Sequence, residues 1–91
     1  MWNILENKKE ATKILDKAPK QVQEKYEFWK QLIEQQGPSA VRDFPRFKDE
    51  TLKGAWKGYR SSRLNEQYRV IYRIEHKEVT IYVEKVGPHN Y

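Results

Sequence analysis

Apolar residues recur along this chain with two different periods, and the change between them falls near residue 51. Ala11, Ile14, Leu15 and Ala18 follow helical spacing. Asn7 followed by Glu10 fits the capping pattern that opens a helix. Pro19 stops this helix and suits the first turn of the next. Val22, Tyr26, Trp29 and Ile33 then lie at i, i+4, i+7 and i+11, with Phe28 and Leu32 widening the stripe. Gly37-Pro38 ends this second helix after about five turns. Ser39 to Phe44 has room for a short helical turn, and Pro45 to Thr51 reads as a loop. Trp2 to Leu5 reads as a short edge strand or a frayed lead-in.

Beyond the loop the period becomes two. The stretches 59–64, 67–74 and 79–86 are rich in β-branched and aromatic residues, and short polar turns at 65–66 and 75–78 separate them. Three strands joined this way predict an antiparallel meander. The fold class is therefore α+β: two N-terminal helices packed on one face of a small, mainly antiparallel sheet. Alternation sends Tyr68, Val70, Tyr72 and Ile74 toward the helices, with Val79, Ile81 and Val83 beside them. Arg69, Ile71 and Arg73, with Thr80, Tyr82 and Glu84, point to the opposite, open face. Arg60 and Arg63 differ in parity. Either a bulge near Ser61-Ser62 brings both to one face, or only one belongs there.

The whole chain of 91 residues is expected to be one domain. It has no cysteine and two histidines, so neither a disulfide nor a transition-metal site is expected, and no cofactor. No apolar run approaches the ~20 residues of a membrane span. The opening residues lack the order of a signal peptide, and a cytoplasmic protein without a membrane partner is expected.

The net charge of +5 points to an anionic partner, and its distribution narrows the choice. Up to Ala40 there are seven lysines against six acidic residues and no arginine. All six arginines lie between Arg42 and Arg73, where nine basic residues face four acidic ones. Arginine suits planar, bidentate recognition of phosphate. Trp56, Tyr59 and Tyr82 add rings on which bases can stack, so the open face has the makings of a single-strand RNA surface. A solvated face paired with carboxylates is the competing reading of the same arginines.

Four motifs occur in order: Leu52-Lys53-Gly54; Gly58-Tyr59-Arg60-Ser61-Ser62-Arg63-Leu64; Tyr68-Arg69-Val70-Ile71-Tyr72; and Val86-Gly87-Pro88-His89. Together with the preceding helix pair they resemble the RelE/ParE superfamily of toxins from type II toxin–antitoxin pairs. The resemblance is stronger to the RelE-, YoeB- and HigB-like members, which cut mRNA in the ribosomal A site. It implies a cognate antitoxin, the ribosome and mRNA as partners, with DNA met only indirectly through the antitoxin complex. It also implies catalytic roles for Glu50, Arg69, His89 and Tyr91, although Asn90 separates His89 from Tyr91. ParE-like members instead inhibit DNA gyrase, and that alternative stays open, as does a non-catalytic RNA-binding protein.

RNA hydrolysis without a metal needs a base for the ribose 2′-OH, a cation for the charge growing on phosphorus, and an acid for the departing 5′-oxygen. Glu50, Arg69 and His89 would fill these roles in that order. Arg63 and Arg60 would orient the phosphate, and Lys48, Lys53 and Lys57 would steer the backbone. The alternatives are a surface ion pair for Glu50 and plain solvation for His89. His76 is assigned to a turn.

Overall fold

The computed structural model describes residues 2–85 and forms one five-stranded sheet with helices on one side. Strand β1 (Asn3–Glu6) leads into helices α1 (Lys8–Leu15), α2 (Lys20–Gln36) and α3 (Pro38–Arg42). A 3₁₀ turn at Pro45–Phe47 precedes the short strand β2 (Glu50–Thr51), and a second at Gly54–Trp56 follows it. Strands β3 (Arg60–Arg63), β4 (Tyr68–Glu75) and β5 (Glu78–Lys85) complete the sheet. The strand order is β1-β5-β4-β3-β2, antiparallel except where β1 lies parallel to β5. The expected α+β architecture is the one observed. The loop at 45–51 carries more structure than its sequence suggested, because its last two residues pair with β3.

Local chemistry sets the element boundaries. The Asn7 side chain accepts the Glu10 amide at 3.3 Å and caps α1. Pro19, at φ −56°, takes the N-cap position of α2. Gly37 ends α2 at φ +87°, where a β-carbon would be strained and would lie 2.8 Å from the Trp2 indole nitrogen. Asn65 closes the β3–β4 turn by accepting from the amides of Gln67 and Tyr68.

The predicted stripe of α2 forms the centre of the core. Val22, Tyr26, Trp29 and Ile33 are buried against Val70, Tyr72, Val79 and Ile81. Burying a side chain of this size contributes ~1.5–3 kcal/mol. Phe28, which sequence periodicity added to the stripe, is at the margin instead. It remains exposed while packing edge-on against Phe44 at 5.4 Å. Ile74 is also exposed, although its cross-strand partner Val79 is fully buried. No helix among the described residues is long and apolar enough to cross a membrane.

Candidate nucleic-acid interface

Register decides which residues share a face. Across the sheet, Glu50 pairs with Ser61, Ser61 with Ile71, and Ile71 with Tyr82. One step along on the same face, Arg63 pairs with Arg69 and Arg69 with Glu84. Glu50, Arg63 and Arg69 therefore all rise from the side away from the helices. Strand spacing and rise put Glu50 and Arg69 roughly 12 Å apart at Cα, within reach of one phosphodiester for two extended side chains. Arg69 donates from Nε and Nη2 to one Glu84 oxygen, at 3.1 and 2.9 Å. Both partners are partly exposed, at 29% and 42% of their side-chain surface.

Arg60 is placed differently. The β3–β4 register runs unbroken from Arg60↔Tyr72 to Arg63↔Arg69, so no bulge reconciles the two arginines. Arg60 shares the helix side with Tyr72. There its Nε donates to Asp49 Oδ1 at 2.6 Å. Ser62 donates to the other Asp49 oxygen at 2.7 Å, and the Tyr72 hydroxyl donates to that oxygen too. The Asp49 side chain is fully buried. Burial works against the charge on Arg60, but the hydrogen bond and charge of Asp49 outweigh it and raise its pKa. Burial pushes the Tyr72 hydroxyl well above the ordinary tyrosine range, and the hydrogen bond to Asp49 adds to the shift. Arg60 thus leaves the group expected to orient phosphate, because its strand parity turns it inward onto a carboxylate.

The open face is less open than alternation alone implied. Ile71 is fully buried although it lies on the arginine side. The turn Gly54–Trp56 explains this. It starts from the β2 edge, yet Trp56 lies 5.7 Å from Tyr82 on β5, three strand spacings or ~14 Å away. To reach Tyr82 it must pass over the middle of the sheet. Tyr59 joins the pair at 5.1 Å from Trp56 and 6.2 Å from Tyr82. The three rings largely contact one another, and of these Tyr82 keeps the most exposed surface. Arg73 lies over Tyr59 at 6.0 Å and also bonds Glu75.

Lys53 and Lys57 flank the Gly54–Trp56 turn and are exposed. Lys48, also exposed, caps the Pro45–Phe47 turn in a left-handed conformation at φ 45°. His89 and Tyr91 lie outside the described residues. Among the described residues no cluster of three His, Asp or Glu is placed to hold a metal ion. Sequence reading missed Asp49. It stands between Lys48 and Glu50 in a polar loop, and nothing local distinguishes it from a solvated acid. Glu84 was legible, since alternation put it on the arginine face and only its pairing with Arg69 awaited the register.

No family model and no curated protein matches the chain. Solved structures do match, and they define the class: this is the RelE-like fold, three helices against a mostly antiparallel five-stranded sheet. YafQ from E. coli superposes with a TM-score of 0.74 at 17% identity, over 93% of each chain. YoeB from Staphylococcus aureus, in its complex with YefM, gives 0.69 at 24% identity, over 96% of this chain and 98% of that one. A toxin from Helicobacter pylori gives 0.65 at 20% identity, over 93% and 94%. YafQ and YoeB are both known from toxin–antitoxin complexes, with DinJ and YefM respectively.

Proposed function

We propose that this protein is the toxin of a type II toxin–antitoxin pair and that it cuts mRNA in the ribosomal A site by metal-independent acid–base chemistry. The observation that carries this reading is the register that gathers Glu50, Arg63 and Arg69 on one face while turning Arg60 away. Glu50 removes the proton of the ribose 2′-OH. The 2′-oxygen attacks phosphorus, and the bond to the 5′-oxygen breaks. Arg69, with Arg63 beside it, offsets the negative charge growing on the phosphoryl oxygens. His89 returns a proton to the departing 5′-oxygen, histidine being the side chain best suited to this near neutral pH. Tyr91, and Lys53 and Lys57 as steering charges, complete the assignment. The acid–base pair and the arginines supply the catalysis without a cofactor.

The Arg69–Glu84 pair fits this role. A half-exposed ion pair is worth only ~0–1 kcal/mol, so an arriving phosphate can displace Glu84. The likeness to YoeB and YafQ, both known with their antitoxins, supports a cognate antitoxin that covers the basic face in the resting cell. Action on the ribosome places the protein in the cytoplasm, and the 91 residues act as one domain.

Inducible expression followed by primer-extension mapping of mRNA ends tests the proposal. Cleavage within translated message is expected, with Arg69→Ala lowering the rate about 10²–10³-fold. Glu50→Gln should lower it by about 10²–10⁴-fold. Growth arrest with intact message, and loss of supercoiling by gyrase in its presence, would overturn the reading.

A further inference from the structure

Three arginines of the sheet have carboxylate partners: Arg60 has Asp49, Arg69 has Glu84 and Arg73 has Glu75. A second set of cations has none among the described residues. Lys25 from α2, Arg46 and Lys48 from the Pro45–Phe47 turn and Arg63 from the end of β3 converge on a cleft of about 130 Å³. Asn65 and Glu66 complete its lining, and among the described residues no ion pair involves any of the four cations.

The cleft holds its cations together against their repulsion. Lys25 donates to the Arg46 carbonyl at 3.2 Å and lies 5.3 Å from the Phe47 ring, which fixes it beside the turn. Lys48 takes its place at a left-handed φ of 45°, which is strained for a residue with a β-carbon. The Lys25 pKa is lowered, first by burial and then by the charges of Arg46 and Lys48. An anion in the cleft would relieve that repulsion.

We propose that this cleft is a second phosphate subsite, taking a backbone phosphate of single-stranded RNA a nucleotide or two from the one held by Arg69. The ligand class rests on the RNA reading given above. Arg63 connects the two places, because it lines the cleft and pairs directly with Arg69 across the β3–β4 ladder. One strand spacing of ~4.8 Å separates those arginine backbones, a step on the scale of a nucleic-acid backbone. The cleft's size favours a compact, multiply accepting anion, and Asn65 offers a further polar group. An acidic protein segment would require cations spread along a surface, whereas these are gathered at one concavity.

Fluorescence anisotropy with a labelled single-stranded RNA, titrated against the full chain at several salt concentrations, tests the subsite. The double variant Arg46→Gln/Lys48→Gln should weaken binding roughly tenfold and make the salt slope shallower by about 0.7, the loss of one single-strand phosphate contact. The control Lys13→Gln/Lys17→Gln removes the same charge from α1 and should leave both nearly unchanged. Glu66→Gln removes the carboxylate at the cleft and should tighten binding about two- to threefold. Thermal melting by circular dichroism confirms that each variant is folded.

Equal losses in the cleft and control variants would overturn the subsite, since only net charge would then matter. Binding of a polyglutamate peptide that depends on Arg46 and Lys48, with RNA binding unaffected by them, would also overturn it and assign the cleft to an acidic protein. Cleavage measured alongside separates this inference from the nuclease reading. RNA held through the cleft but never cut leaves the subsite standing and removes the nuclease. RNA cut normally with no dependence of affinity on the cleft does the reverse.

Discussion

Arg60 on β3 and Arg69 on β4 are each bonded to a carboxylate, and the two pairs differ in burial and in connectivity. Asp49 has no exposed side-chain surface and accepts from Arg60, Ser62 and Tyr72 together. Glu84 is 42% exposed and, among the described residues, accepts from Arg69 alone. The first carboxylate holds strands β3 and β4 to the preceding loop, and its loss would strand buried donors. The second is in contact with water and can exchange for another anion. Two pairs of the same chemistry thus serve different ends, because low local dielectric and shared donors make one permanent while solvent makes the other replaceable.

The largest expected break in that comparison is at Asp49. Arg60→Met leaves its carboxylate buried without its cation and should lower stability by ~3–5 kcal/mol. Asp49→Ala should do comparable damage by orphaning Arg60, Ser62 and Tyr72 at once. Urea denaturation measures both. The affinity of the folded fraction of Arg60→Met for RNA should match the wild type within about twofold, and a loss as large as that of Arg69→Ala would return Arg60 to the binding face.

A pH titration of stability probes the same network. Tyr72 and Tyr26 both have pKa values raised well above the ordinary 10.0, first by burial and then by hydrogen bonds to Asp49 and Glu6. Their folded pKa values exceed their unfolded ones, so their contribution is complete below about pH 10 and is lost as pH rises beyond it. Thermal melts should show stability falling steadily on the alkaline side, and Tyr72→Phe should flatten part of that fall. A Tyr72→Phe curve parallel to the wild type would show that Tyr72 is not coupled to Asp49.

The smallest effect is expected at Glu84. Glu84→Gln frees Arg69 from its partner and should change stability by less than ~1 kcal/mol. RNA affinity should rise about two- to fivefold, the counterpart of removing a weak competing ion pair. Unchanged RNA affinity in that variant would mean that Arg69 does not exchange Glu84 for phosphate.

Much of the fold was legible because periodicity is a local property. The α2 stripe, the Asn7 cap, the Pro19 break and the three strands of the meander all follow from spacing or from a single residue's backbone demands. The parity conflict between Arg60 and Arg63 was also visible, but its resolution was not. A bulge and an inward-turned arginine produce the same sequence, and only the unbroken register distinguishes them. The parallel pairing of β1 with β5 was hidden for a similar reason, since a four-residue strand carries no mark of its distant partner.

What the sequence determined by itself was therefore the class of elements, the segregation of arginine into the stretch from Arg42 to Arg73, and the side of β4 from which Arg69 projects. Tertiary structure decided which cations are already satisfied. Asp49 and Glu50 are neighbours in one short acidic step, yet one is buried under the sheet and the other rises on its arginine face. Trp56 shelters Ile71 only because its turn crosses the sheet. Lys25 and Arg63 share a cleft although thirty-eight positions separate them in the chain, from 25 to 63. Alternation fixes the direction of a side chain relative to its own strand. Its partners depend on which segments the core brings beside it, and hydrophobic burial settles that for the chain as a whole.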